Sequence, residues 1–306
     1  MSHREHNFWR EAIQWRGSVS PNVMRRVTLI GLLSGIIVLL SWELEKTFGW
    51  HLGLEVGPFE YAGAALGLLL VLRTNAGYDR WWEGRRLWGG IVNQSRNLAI
   101  SGLTYGPDDP AWRKRFVELA TAFPHIARAN LRGEQPGPEL LRLLGVDQLP
   151  DYERPRYYPG FVALRLAELL KLACERGQLD RWAFMQIDTQ RASLIDHIGG
   201  CERILKTPLA KAYAIKVRRF ILLFLLILPS ALLHRMESEF LVPLVTMLVA
   251  YPLLSLDQIG VELQNPFSKQ NLSHLPLDDI AQTIEGNLNE FLGHRERSTK
   301  PTELQG

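Results

Sequence analysis

The chain has 306 residues, 46% of them hydrophobic and 22% charged, which excludes whole-chain disorder and allows one large domain or two ordinary ones. Thirty-five Lys and Arg against 32 Asp and Glu leave a net charge of +3, too small an excess to mark a nucleic-acid binder. Two cysteines, Cys174 and Cys201, with no His or Cys at ligand spacing, argue against a disulfide framework and a zinc knuckle.

The first 17 residues are charged and aromatic and have no apolar core beside a small-residue cleavage site. They predict a segment that stays on the mature protein, in the cytoplasm, not a cleaved signal peptide. Four stretches then lack Asp, Glu, Lys, Arg and His: 27–42, 61–72, 220–233 and 240–256, of 16, 12, 14 and 17 residues. A single bilayer span wants about 20 apolar residues, so the shorter runs taken alone also fit buried helices of a soluble protein. Neighbours such as Trp42, Leu44, Pro58, Phe59 and Tyr213 to Val217 can extend them, with snorkelling cations at the ends.

The flanking charge favours the membrane reading. Arg10, Arg16, Arg25 and Arg26 precede the first stretch, Arg73, Arg80, Arg85 and Arg86 follow the second, and Lys211, Lys216, Arg218 and Arg219 precede the third. The connections 43–57 and 234–239 hold one Lys or Arg each, Lys46 and Arg235. Because Lys and Arg collect on the cytoplasmic side of short loops, the pattern predicts a multi-pass inner-membrane protein with four transmembrane helices and both termini cytoplasmic.

The chain therefore divides into 1–72, with the N-terminal segment and spans 1 and 2; a cytosolic helical region, 73–219; spans 3 and 4 in 220–256; and a cytosolic C-terminal segment, 257–306. No turn cluster separates 73–101 from the second span, which predicts one long helix leaving the membrane, with Tyr78, Trp81, Trp88, Val92 and Ala99 as its packing stripe. Further helices are expected at 110–131, 138–144, 161–176 and 180–205, the last with Trp182, Met185, Leu194, Ile195 and Ile198 on its apolar face. Asp278 is placed to cap a final helix carrying Ile280, Ile284, Leu288 and Phe291. The fold class is an all-α membrane protein.

Chemistry-bearing patterns are few. There is no Gly-rich phosphate loop, nucleophile elbow or paired-histidine metal motif. His125 and His197 have no carboxylate or histidine one turn away, and with His234 they read as structural or solvated. No enzyme, cofactor or metal is expected. In the second span, Gly63 and Gly67 form a small-xxx-small pair suited to close helix approach. Ala64, Leu68 and Leu72 recur every four residues as an apolar stripe, which fits packing within the chain or, around a symmetry axis, a narrow hydrophobic constriction.

Residues 73–98, RTNAGYDRWWEGRRLWGGIVNQSRNL, resemble the signature that comes after the second span in the bestrophin family, carried here by Arg73, Asn75, Tyr78, Asp79, Arg80, Trp81, Trp82, Glu83 and Trp88. Glu262 to Phe267 (ELQNPF, with Asn265, Pro266 and Phe267), Leu275 to Glu285 and Cys201 to Tyr213 are similar to further family segments. The resemblance implies a homopentameric ion channel in the lipid bilayer with one central pore, passing small monovalent ions, with chloride or other anions favoured. A cation-selective channel of the same fold and, behind it, a secondary transporter are the alternatives. It also implies a hydrophobic gate, with the pore neck at Ala64, Leu68 and Leu72, and a cytosolic aperture at Leu209.

Two departures bear on mechanism. Ala64 and Leu72 are smaller than the Ile and Phe usual in the family's neck. Ser268, Lys269, Gln270 and Asn271 stand where animal members carry an acidic calcium-binding run, and calcium needs several carboxylate oxygens.

Overall fold

The computed structural model describes residues 8–55, 57–151 and 153–299, and among them the chain is helical with no strand. Its elements are α1 (Phe8–Ala12), α2 (Ser20–Phe48), α3 (Gly57–Tyr105), α4 (Pro110–Arg132), α5 (Pro138–Leu144), α6 (Tyr158–Glu175), α7 (Arg181–Lys206), α8 (Lys211–Arg235), a 3-10 turn (Glu239–Leu241), α9 (Val242–Glu262) and α10 (Leu277–Thr299). They form two compact units. The first holds the chain through Trp81, Pro208–Asn265 and Gln270–Ser273; the second holds Trp82–Thr207, Pro266–Lys269 and the chain from His274. The 49-residue α3 contributes to both, and continues from the second apolar stretch without a break as its sequence predicts.

In the first unit Pro21 opens α2, where its missing N–H costs nothing, and Gly49 ends it at φ 68 with its N–H on the Glu45 carbonyl. Helix α2 runs antiparallel to α9. Ser20 meets Tyr251 (2.7 Å), Gly31 approaches the Met247 side chain, and buried Ser34 and Thr246 share a 3.2 Å hydrogen bond. Helix α3 packs antiparallel on α8, with Leu66 and Leu70 in one buried cluster with Val217, Ile221 and Leu225.

By length and composition, α2 (mean hydropathy 2.1) and Glu239–Glu262 (1.8) are long and apolar enough to cross a membrane; the other two apolar stretches lie in α3 and α8 and are shorter. Much of the apolar surface of this unit faces outward. Leu32, Leu39, Leu244 and Leu248 are 58–73% exposed, and large exposed apolar surface of this kind marks membrane or protein contact.

The second unit is built around α4. Asp109 caps it by accepting from the Ala111 N–H, and Gly133 closes it at φ 67. Phe116, Ala120, Phe123 and Ile126 of α4 are buried, as are Val162 and Leu166 of α6, Leu194 and Ile198 of α7, and Ile284 and Leu288 of α10. Three expectations are corrected. Trp182 and Met185 are 79% and 54% exposed, because the buried face of α7 is Ile187, Leu194, Ile198 and Cys201; at about 100° per residue, 182 and 185 fall on the opposite side. Asp278 does not cap α10, which begins one residue earlier. Its carboxylate instead accepts from Arg128 and Arg132 of α4. On α3, Trp88 and Ala99 are buried as the stripe predicts, but Tyr78 is 52% exposed.

Candidate functional site

Helix α3 has two faces in the first unit. Leu66, Leu70, Arg73 and Gly77 are buried against the rest of the chain, whereas Ala64, Leu68 and Leu72 are exposed, Leu68 by 62% and Leu72 by 52%. At about 100° per residue the two sets lie on opposite sides, so the apolar stripe does not serve packing within its own chain. The glycine pair divides. A Cβ on Gly63 would meet the Phe224 ring of α8 at 3.3 Å, while Gly67 has nothing within 4 Å.

The signature residues sort by the same faces. Asn75, Tyr78, Asp79 and Trp82 continue along the exposed side of α3. Arg73, Arg80 and Trp81 turn inward and fasten α9 and the segment C-terminal to it. Arg73 pairs with Asp257 of α9, the Arg80 Nε–H donates to the Gln264 carbonyl (3.4 Å), and the Trp81 Nε1–H donates to the Ser273 carbonyl (2.6 Å). Asp257, buried, and the half-exposed Arg218, whose Nε lies 3.1 Å from the second Asp257 oxygen, complete a charge cluster that pattern reading overlooks. An Asp at the end of one apolar run and an Arg at the end of another is the signal that points to it.

In the second unit, Glu83 accepts from Arg203 (2.5 Å) and Trp88 is buried. Pro266 and Phe267 fill the space beside Gly84, where an added Cβ would stand 2.9 Å from the proline ring. Arg132 Nε donates to the Phe267 carbonyl (3.2 Å). Asn265, in the first unit, lends its carbonyl to the Asn271 side-chain amide (2.8 Å). Leu209 lies in the break between α7 and α8 and is half-buried.

The segment after α9 is held by amide donors and ion pairs. Both Glu262 carboxylate oxygens are engaged, by the Leu272 N–H (2.7 Å) and the Gln258 amide (3.0 Å). Lys269 Nζ lies 3.5 Å from Asp278 and 3.8 Å from Glu134. Among the described residues no group of three or more His, Cys, Asp or Glu could hold a metal ion.

Among the described residues, three titrating groups depart from their ordinary range. Burial raises Asp278, but hydrogen bonds and charge from Arg132 and Arg128 outweigh it and bring the carboxyl to about 2. Burial, with Glu202 and Glu83 nearby, pushes the Cys201 thiol up to about 12, the reverse of what a nucleophile requires. Burial and Glu202 likewise raise Tyr157 to about 12. The fold also supplies the carboxylate that sequence spacing denies to His125, since Glu285 of α10 lies 2.8 Å from its Nε2 at the edge of an open cavity of about 700 Å³.

A long helix that turns one face to its own chain and an uncharged apolar stripe outward, beside two segments long and apolar enough to cross a membrane, describes an all-helical membrane protein. The match to the family model for the Bacterial/Fungal Bestrophin protein covers residues 1–290, and the chain belongs to the bestrophin family. It is 32% identical over 295 residues to a voltage-dependent anion channel-forming protein of Ralstonia nicotianae, covering 95% of this chain and 94% of the relative. A voltage-dependent anion channel-forming protein of Escherichia coli is 32% identical over 289 residues, covering 93% and 92%. The crystal structure of a bacterial bestrophin homolog from Klebsiella pneumoniae matches with a TM-score of 0.78 and 29% identity, over 89% of this chain and 98% of that one.

Proposed function

We propose that this chain is a channel for small monovalent ions, chloride or other anions favoured, formed by five copies around one central pore in the cell inner membrane. The four spans lie in α2, the first part of α3, α8 and α9, and both termini are cytoplasmic. Ala64, Leu68 and Leu72 line the neck, Gly67 gives the neighbouring helix room, and Leu209 forms the cytosolic narrowing.

The observation that carries this reading is the exposed, uncharged stripe Ala64–Leu68–Leu72, opposite the buried face of α3. Around a symmetry axis such a stripe makes a constriction that opens and closes to ions by wetting. The names of the Ralstonia and Escherichia relatives support anion passage. Because the stripe carries no charge, it does not set the sign of the permeant ion.

The test is the reversal potential of the purified protein in a planar bilayer under a salt gradient. A reversal near the chloride equilibrium potential is expected. Reversal near the cation potential would make it a cation channel of the same fold, and absence of current from an intact oligomer would reject the channel reading.

A further inference from the structure

The described residues before the first span carry large apolar side chains that are exposed. Helix α1 and the turn after it expose Trp9 by 73%, Ile13 by 80% and Trp15 by 52%, and Trp9 and Ile13 stand one helical turn apart, joined by the Ile13 N–H to the Trp9 carbonyl (3.2 Å). Gly17, at φ 80, turns the chain toward α2. Ser18 secures that elbow by donating to the Trp15 carbonyl (2.9 Å) and accepting from the Ser20 N–H (3.3 Å).

Four arginines share the same stretch. Arg10 and Arg16 flank the apolar residues, Arg25 and Arg26 lie on the early turns of α2, and all four are exposed. Among the described residues none of them forms an ion pair, and residues 8–26 contain a single acid, Glu11. The uncharged run begins immediately afterwards, at Val27. Aromatic and aliphatic side chains beside guanidinium groups, at the cytosolic end of a span, match the boundary between headgroups and acyl chains, where the rings sit in the interface and the cations meet lipid phosphate.

We infer that residues 8–26 bind anionic phospholipid headgroups of the cytoplasmic leaflet, with Trp9, Ile13 and Trp15 in the interface and Arg10, Arg16, Arg25 and Arg26 on the phosphates. Charge complementarity selects the lipid over a second copy of the chain. Pairing of this segment with the same segment of a second copy would set its guanidinium groups against like charge, with one acid, Glu11, to offset the four on each side. The inference rests on the reading that α2 spans the bilayer.

The full-length protein, carrying Cys174→Ser and an environment-sensitive fluorophore on Ala12→Cys or Ile13→Cys, is reconstituted in phosphatidylcholine vesicles with a quarter phosphatidylglycerol. Cys201 is buried and stays unlabelled. Spin-labelled phosphatidylglycerol should quench the fluorophore several-fold more than equal amounts of spin-labelled phosphatidylcholine, and changing the four arginines to Gln should abolish that preference. Equal quenching by the two lipids, or no quenching by either, would overturn the inference. So would a fluorophore already shielded in lipid-free detergent oligomers, which would place a second copy on this surface. The same fluorophore on Leu33→Cys, mid-span and 43% exposed, separates the two readings. Quenching there without quenching at 12 or 13 defeats the lipid site alone, and no quenching at 33 defeats the span.

Discussion

Arg73 and Asp257 form an ion pair with side chains only 1% and 4% exposed, tying the end of the apolar part of α3 to the end of that of α9, while Arg218 approaches the second carboxylate oxygen from a side chain 52% exposed. Removing one member of a buried pair strands the other charge. Asp257→Ala should therefore lower stability by about 3–5 kcal/mol, read as a lower melting temperature and loss of oligomer in detergent. Arg218→Ala should cost far less, because its own charge reaches solvent. Equal effects would show that the buried charge of Arg73 is not what Asp257 compensates.

Helices α3 and α4 approach closely at Gly102, where a Cβ would overlap the Phe116 ring, itself stacked on Trp112 at 4.9 Å. The rings are buried and cannot swing clear. Gly102→Ala should destabilise by about 1–3 kcal/mol, whereas Gly31→Ala, which meets only the flexible end of Met247, should be milder. Thermal melts of the two variants make the comparison.

Asp278 couples α10 to α4, and its carboxyl is held at about 2 against an ordinary 3.8. A carboxyl lowered in the folded state stabilises above its unfolded pKa, and that stability is lost as pH falls through the folded value. The melting temperature should accordingly fall between pH about 4 and about 2, and Asp278→Asn should lower it at neutral pH while flattening that part of the profile. A profile unchanged by Asp278→Asn would show that other carboxylates drive acid unfolding.

Glu262 is engaged by amide donors and Lys269 stands beside Asp278 and Glu134, so the chain itself supplies partners to the charged groups of the segment after α9. Currents should survive chelation of cytosolic calcium. Loss of current in chelator, restored by micromolar calcium, would mean that ligands come from elsewhere.

The sequence makes legible whatever is local. The long α3, the glycine-capped ends and the Pro-opened α2 and α4 are written in neighbouring residues, and the outward stripe at 64, 68 and 72 has a fixed four-residue spacing. The pairings that hold each unit together are not local. Asp257 meets Arg73 across 184 positions and Glu285 meets His125 across 160, so no window along the chain contains either. Trp182 and Met185 mislead for another reason, because an apolar residue on a helix says nothing about which side its neighbours cover.

The measurement that bears most directly on the account is single-channel conductance of the neck variants. Leu68→Ala removes three heavy atoms from the stripe in every copy and should raise conductance by widening the ring, and Ala64→Phe should lower it by narrowing the same lumen. An intact oligomer whose conductance is unchanged in both variants would take the stripe out of the pore and contradict the account.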